Sequence, residues 1–151
     1  MKPFESLLAD LGNELKIGPL TLDEGGYVQL CFEEDLVVMI KVEEEPQLLT
    51  LFCRVGEAPD NHPDFAEELL SSNLFWRDTR GATLSLERYS RSVILAKQFS
   101  PASLEPEGVF AREMKAFIDS CREWILTIPR LSLPSDSGKS SRDNLMSAAS
   151  R

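Results

Sequence analysis

The residue types that carry most protein chemistry are scarce in this chain. It has one histidine, His62, and three cysteines, Cys31, Cys53 and Cys121. That count excludes a histidine-rich zinc centre, and a Cys–His nucleophile pair would have to use His62. No cysteine stands at CxxC or CxxH spacing. Each lies inside an apolar run, where a thiol is expected to serve as a small buried hydrophobe. His62, between Asn61 and Pro63, reads as an exposed neighbour of a helix cap. Gly138-Lys139-Ser140 ends like a phosphate-binding loop, but Leu133 stands where that loop needs its first glycine. There is no G-x-S-x-G elbow, and no dinucleotide-binding glycine pattern follows a strand. The acidic triplets Glu33-Glu34-Asp35 and Glu43-Glu44-Glu45 lack the spacing and glycine of a calcium loop and read as solvated turns. Carboxylates are the remaining candidates for acid–base work, which needs a pair facing each other in a cleft. The expectation is a chain with no enzymatic activity, no cofactor and no bound metal.

The charge balance narrows the partners. The chain has 151 residues, with 16 basic and 25 acidic side chains and a net charge of −9. A nucleic-acid binder needs a positive footprint, so that class is excluded. Insertion into a membrane is excluded too, because every apolar run falls far short of the roughly 18–20 residues of a span. The opening MKPFESLLADLG carries acids within its apolar stretch and lacks a signal-peptide layout, so a cytoplasmic location is expected.

Periodicity then supplies the elements. Phe4, Leu7, Leu8, Leu11 and Leu15 share one face of a helix, and Gly18-Pro19 closes that region. Tyr27–Phe32, Leu36–Val42 and Leu48–Val55 alternate as strands, joined by short charged turns that make them antiparallel. A second helix starts near Pro63 with Asn61 or His62 as its cap, buries Phe65, Leu69 and Leu70, and ends at Ser71-Ser72-Asn73. Two further strands follow, Ala82–Leu86 and Ser92–Phe99. A last helix starts around the cap Ser103, carries Phe110, Met114, Phe117, Cys121 and Trp124, and should stop before Pro129. The fold class is therefore α+β, in the order α-β-β-β-α-β-β-α, with a twisted antiparallel sheet packed by helices. Residues 1–128 form one domain. Residues 129–151 are rich in serine with Pro129, Pro134 and Gly138, a composition expected to form a flexible tail rather than a core.

Some apolar side chains exceed what one core needs. Val37, Met39, Leu48 and Phe52 fall on the supposed solvent side of their strands, where a one-faced sheet should be polar. Either a second layer or a partner covers that face. Leu74-Phe75-Trp76 is a large apolar triplet just past a helix end, and a self-association surface is one reading of it.

The run Leu69-Leu70-Ser71-Ser72-Asn73-Leu74-Phe75-Trp76, followed by Thr79-Arg80-Gly81-Ala82-Thr83-Leu84-Ser85-Leu86, resembles the class I type III secretion chaperones of the CesT/Tir-chaperone family. Size, acidity and element order fit the same family over residues 1–128. The resemblance implies a non-enzymatic bacterial cytoplasmic homodimer that binds the N-terminal segment of a secreted effector and keeps it soluble and export-competent. The expected dimer interface comprises Leu70, Leu74, Phe75, Trp76, Leu84 and Leu86. The expected effector-binding residues are Phe4, Leu8, Leu11, Val37, Met39, Leu48 and Phe52. The alternatives are a small carboxylate-dependent enzyme and an adaptor subunit of a stable protein complex.

Overall fold

The computed structural model describes residues 2–33, 36–131 and 133. The Gly138-Lys139-Ser140 run, Glu34-Asp35 and the serine-rich segment from Pro134 onward lie outside the described residues.

Helix α1 (Lys2–Leu15) leads into three antiparallel strands, β1 (Tyr27–Phe32), β2 (Leu36–Glu43) and β3 (Leu48–Glu57). Helix α2 (Phe65–Ser72) and a tight turn at Leu74–Trp76 precede β4 (Thr83–Leu86) and β5 (Ser92–Phe99). A short helix α3 (Pro101–Leu104) and the long α4 (Val109–Leu131) complete the described chain. The five strands form one antiparallel sheet in the order β1-β2-β3-β5-β4. Among the described residues, no helix is long and apolar enough to cross a membrane.

One sheet face makes the core. Val28 and Leu30, Val38 and Ile40, Leu49 and Leu51, and Leu95 point to that face and are buried. Strand alternation puts them there, since side chains two residues apart share a face. Helix α4 lies against β3 on this side, with Met114, Phe117, Cys121 and Trp124 buried at helical spacing. Helix α1 packs on α3 and α4 through Phe4, Leu7, Leu8 and Leu11. Burying side chains of this size contributes about 1.5–3 kcal/mol each before entropy is subtracted.

Three local features depart from the sequence expectation. The last helical region is two helices, not one. Ser100, rather than Ser103, is the cap: its hydroxyl accepts the Ser103 amide at 3.4 Å, and Pro101 takes the first turn of α3. Gly108, at φ 79°, then turns the chain into α4. The second departure is that α4 runs through Pro129 to Leu131 instead of stopping before the proline. Ile128 on one side of the ring is buried and Leu131 on the other packs on the core, so packing outweighs the single backbone bond the proline forgoes. The third lies at α2, whose N-cap is Asp64 rather than Asn61 or His62. His62 is half-buried, not exposed, with its ring set edge-on to Phe65 at 6.0 Å.

Candidate protein-interaction site

Among the described residues, no helix packs on the second face of the sheet. On β1, β2 and β3 every side chain that alternates with the core set keeps solvent exposure. Met39 and Phe52 are direct cross-strand partners on this face, and Val37 lies next in line on β2 with 39% of its surface exposed. Tyr27 meets Phe52 edge-to-face at 6.4 Å, and the Lys41 ammonium stands 5.7 Å from the Tyr27 ring centre. Ile94 on β5 belongs to the same face, half-buried two positions beyond Ala96, the partner of Phe52. The result is an apolar strip through the middle of the open face, with Gln29, Lys41, Thr50 and Arg54 around it. Leu48 stands at the start of β3, half-buried.

Among the described residues, the β1 edge of this sheet has no strand paired to it. Val42 donates its amide to the Gly26 carbonyl, which sets the phase of the β1–β2 ladder. By that alternation Val28 and Leu30 bond inward to β2, while the backbone groups of Tyr27, Gln29 and Cys31 point outward. Asp23 takes those of Tyr27: its carboxylate accepts the Tyr27 amide at 2.9 Å, and its own amide donates to the Tyr27 carbonyl at 2.9 Å. Gln29 and Cys31 keep their donor and acceptor groups on the free edge.

The opposite edge, β4, is capped at Leu84. The Asn73 carboxamide donates to the Leu84 carbonyl at 2.9 Å and accepts the Leu84 amide at 2.8 Å. Just after Asn73, the backbone turns through two left-handed residues, Phe75 at φ 57°, ψ 16° and Trp76 at φ 53°. Bulky side chains rarely adopt that conformation. The Trp76 indole N–H donates to the Thr83 hydroxyl at 3.3 Å, and the Trp76 carbonyl accepts the Gly81 amide at 3.0 Å. This turn lifts Leu74, Phe75 and Trp76 into solvent, Phe75 with 67% and Trp76 with 56% of their surface exposed. Leu70, one helical turn back, is 72% exposed, although its apolar character places it among the expected buried positions of α2.

The expected interaction residues divide in consequence. Val37, Met39, Leu48 and Phe52 share the open face, and Leu70, Leu74, Phe75 and Trp76 share the exposed turn region. Phe4, Leu8 and Leu11 do not face a partner: they are 0–1% exposed, because α1 turns its whole stripe onto α3 and α4. Leu84 is likewise core, at 3%, and Leu86 is half-buried against it. Two contributors went unread in the sequence. Ile94 was visible in the alternation of Ser92–Phe99, whereas Asn73 looks like any residue closing a helix.

Cys53 on β3 and Cys121 on α4 are both buried, and the Cys53 thiol donates to the Arg54 carbonyl at 3.6 Å. The neighbouring Cys53 side chain and burial push the Cys121 thiol above its ordinary range. Cys31 is exposed on the β1 edge, not buried as its apolar run suggests. Among the described residues, no three His, Cys, Asp or Glu side chains converge to hold a metal ion. Glu87 is held below the usual carboxylate range by the Ser90 hydroxyl and by the Tyr89 and Ser90 amides.

Comparison with known proteins matches the same span. The profile of the Tir chaperone protein (CesT) family covers residues 6–125. The Tir chaperone of Citrobacter freundii is 24% identical over 124 residues, which cover 82% of this chain and 78% of that protein. Among solved structures, a chain of the ExsC–ExsE complex superposes with a TM-score of 0.67 at 20% identity, over 89% of this chain and 97% of its own. A chain of the HopA1–SchA chaperone–effector complex superposes with a TM-score of 0.65 at 19% identity, over 82% of this chain and 90% of its own.

Proposed function

The chain belongs to the Tir chaperone protein (CesT) family, and on that premise we propose that it is a non-enzymatic, cytoplasmic, homodimeric type III secretion chaperone. It binds the N-terminal region of a secreted effector and keeps that segment soluble and export-competent. The observation that carries this reading is the open sheet face, where Val37, Met39 and Phe52 remain in contact with water beside the unpaired edge of β1.

An extended segment fits such a surface in two ways at once. Its backbone can bond to the outward groups of Gln29 and Cys31, and its alternate side chains can cover the strip through Phe52. A disordered segment gives up ordering entropy on binding, and the apolar area of the strip offsets it. The exposed turn at Leu74–Trp76 supports self-association, because a second copy meeting it about a two-fold axis covers both turns together. The net charge of −9 keeps a molecule with two apolar surfaces in solution.

The deciding experiment is purification of the tagged full chain from its native bacterium. A co-purifying protein that the type III system exports, and that loses binding when its N-terminal region is deleted, is the expected result. A co-purifying subunit that is never exported would instead make the chain an adaptor.

A further inference from the structure

We infer that Asn73 is the positioning residue of the self-association surface: its carboxamide stands in for a neighbouring strand at Leu84 and so holds the turn that presents Leu74, Phe75 and Trp76. The inference rests on the homodimer reading above and adds the residue that makes the surface possible.

The argument starts from strain. Phe75 and Trp76 are both left-handed and both largely exposed, so neither is held by core packing. Such residues persist only where their surroundings over-determine them. Besides the Trp76 bonds to Thr83 and Gly81, the bonds that do so radiate from Asn73. Its amide donates to the Leu70 carbonyl at 3.2 Å, which closes α2. Its carbonyl accepts the Trp76 amide at 2.8 Å, which closes the turn. Its side chain makes the two bonds to Leu84, which anchor helix end and turn together on β4.

The chemistry requires a carboxamide at this reach. Leu84 offers one N–H and one C=O side by side, and only a donor and an acceptor on one short planar group answer both. An aspartate would turn a second acceptor toward the Leu84 carbonyl. A glutamine carries the same functions on a stem one methylene longer and would displace the turn. The same two bonds also remove the outer edge of β4 from strand addition at Leu84. Association on this side then runs through side chains rather than through sheet extension.

The test compares the full chain with Asn73→Ala and Asn73→Asp. Circular dichroism and thermal melting report the fold, and sedimentation velocity across a dilution series reports dimer dissociation. The expected result is a cooperative fold in both variants, a dissociation constant raised by about tenfold or more, and faster hydrogen exchange at the Leu84 amide. Should the alanine and aspartate variants fail to fold, Asn73→Gln replaces them, with a folded protein and a weakened dimer expected. A wild-type dimer with folded variants that associate equally well overturns the positioning role alone. Failure of all three variants to fold also overturns it, since Asn73 is then a determinant of the fold. A wild-type chain that stays monomeric at all concentrations overturns the homodimer reading, and this inference with it.

Discussion

A Cβ carried by Gly56 would stand 2.7 Å from Cγ2 of Ile128 and 3.1 Å from its Cβ. Gly56 lies at the register shift between β3 and β5, directly under the last turns of α4. Ile128 is branched at Cβ and cannot swing aside as a long unbranched chain would. The absence of a side chain at Gly56 is what allows α4 to seat against the strand. Gly56→Ala should destabilise the protein by about 1–3 kcal/mol through overpacking. Urea denaturation would measure it, and the double variant with Ile128→Ala should lose less than the sum of the two single losses, because the residues touch.

The exposed turn makes a contrasting prediction. Trp76 is outside the protomer core, so Trp76→Glu should leave the circular-dichroism spectrum and the unfolding midpoint nearly unchanged. The same variant should dissociate the homodimer, read as a halved mass in light scattering at micromolar concentration. A variant that unfolds would mean that the indole is needed inside the protomer. An unaltered dimer would place the association surface elsewhere.

For the open face, Val37→Asp and Phe52→Asp should each leave fold and dimer mass intact and weaken effector capture. Losing an anchor in a buried interface costs about 2 kcal/mol, or roughly thirtyfold in affinity. Normal capture by both folded variants would rule out the strip as the binding site.

The turn between β4 and β5 should respond to acid. Glu87 accepts the Tyr89 amide at 3.0 Å and the Ser90 amide at 2.6 Å, and its carboxyl is held below the usual range. A group with a depressed folded-state pKa supports the structure above its unfolded value, and that support is lost as pH falls through the folded one. The turn should therefore be constant near neutrality and loosen only below the ordinary carboxylate range. The Ser90 amide chemical shift followed through an acid titration would report this. Glu87→Gln should abolish the titration.

Much of this arrangement was legible in the residues, and the exceptions have physical causes. Alternation gave Tyr27–Phe32 and Ser92–Phe99 to the residue, because each strand buries one face only. It also singled out Val37, Met39, Leu48 and Phe52 as apolar on the wrong side. Alternation cannot say whether a second layer covers them, since that depends on where helices distant in sequence come to rest. The stripe through Phe4, Leu8 and Leu11 posed the converse difficulty, as a helix face looks the same in sequence whether one element or two lie against it. Gly108 does not stand out between α3 and α4 because the apolar rhythm resumes at once after it. Asn73 was hidden because its partner, Leu84, comes eleven positions later and bonds through the main chain, where no side-chain pattern reveals it.

The strand order also sets a timetable for the surfaces. β5 lies between β3 and β4, and its register joins Leu49 to Phe99, fifty positions later. α2, the aromatic turn and β4 are all strung inside that closure. Among the described residues β4 has no strand neighbour except β5, so the platform under Leu74–Trp76 gains its anchor only when β5 inserts. The β1–β3 meander is made of near neighbours and closes short loops, which form faster than a long one. A nascent chain leaving the ribosome thus completes first the strands that carry Val37, Met39 and Phe52 of the open face, with Ile94 joining them when β5 inserts. Its means of recognising a second copy comes later, after residue Phe99 has been made, when most of the molecule that must dimerise already exists.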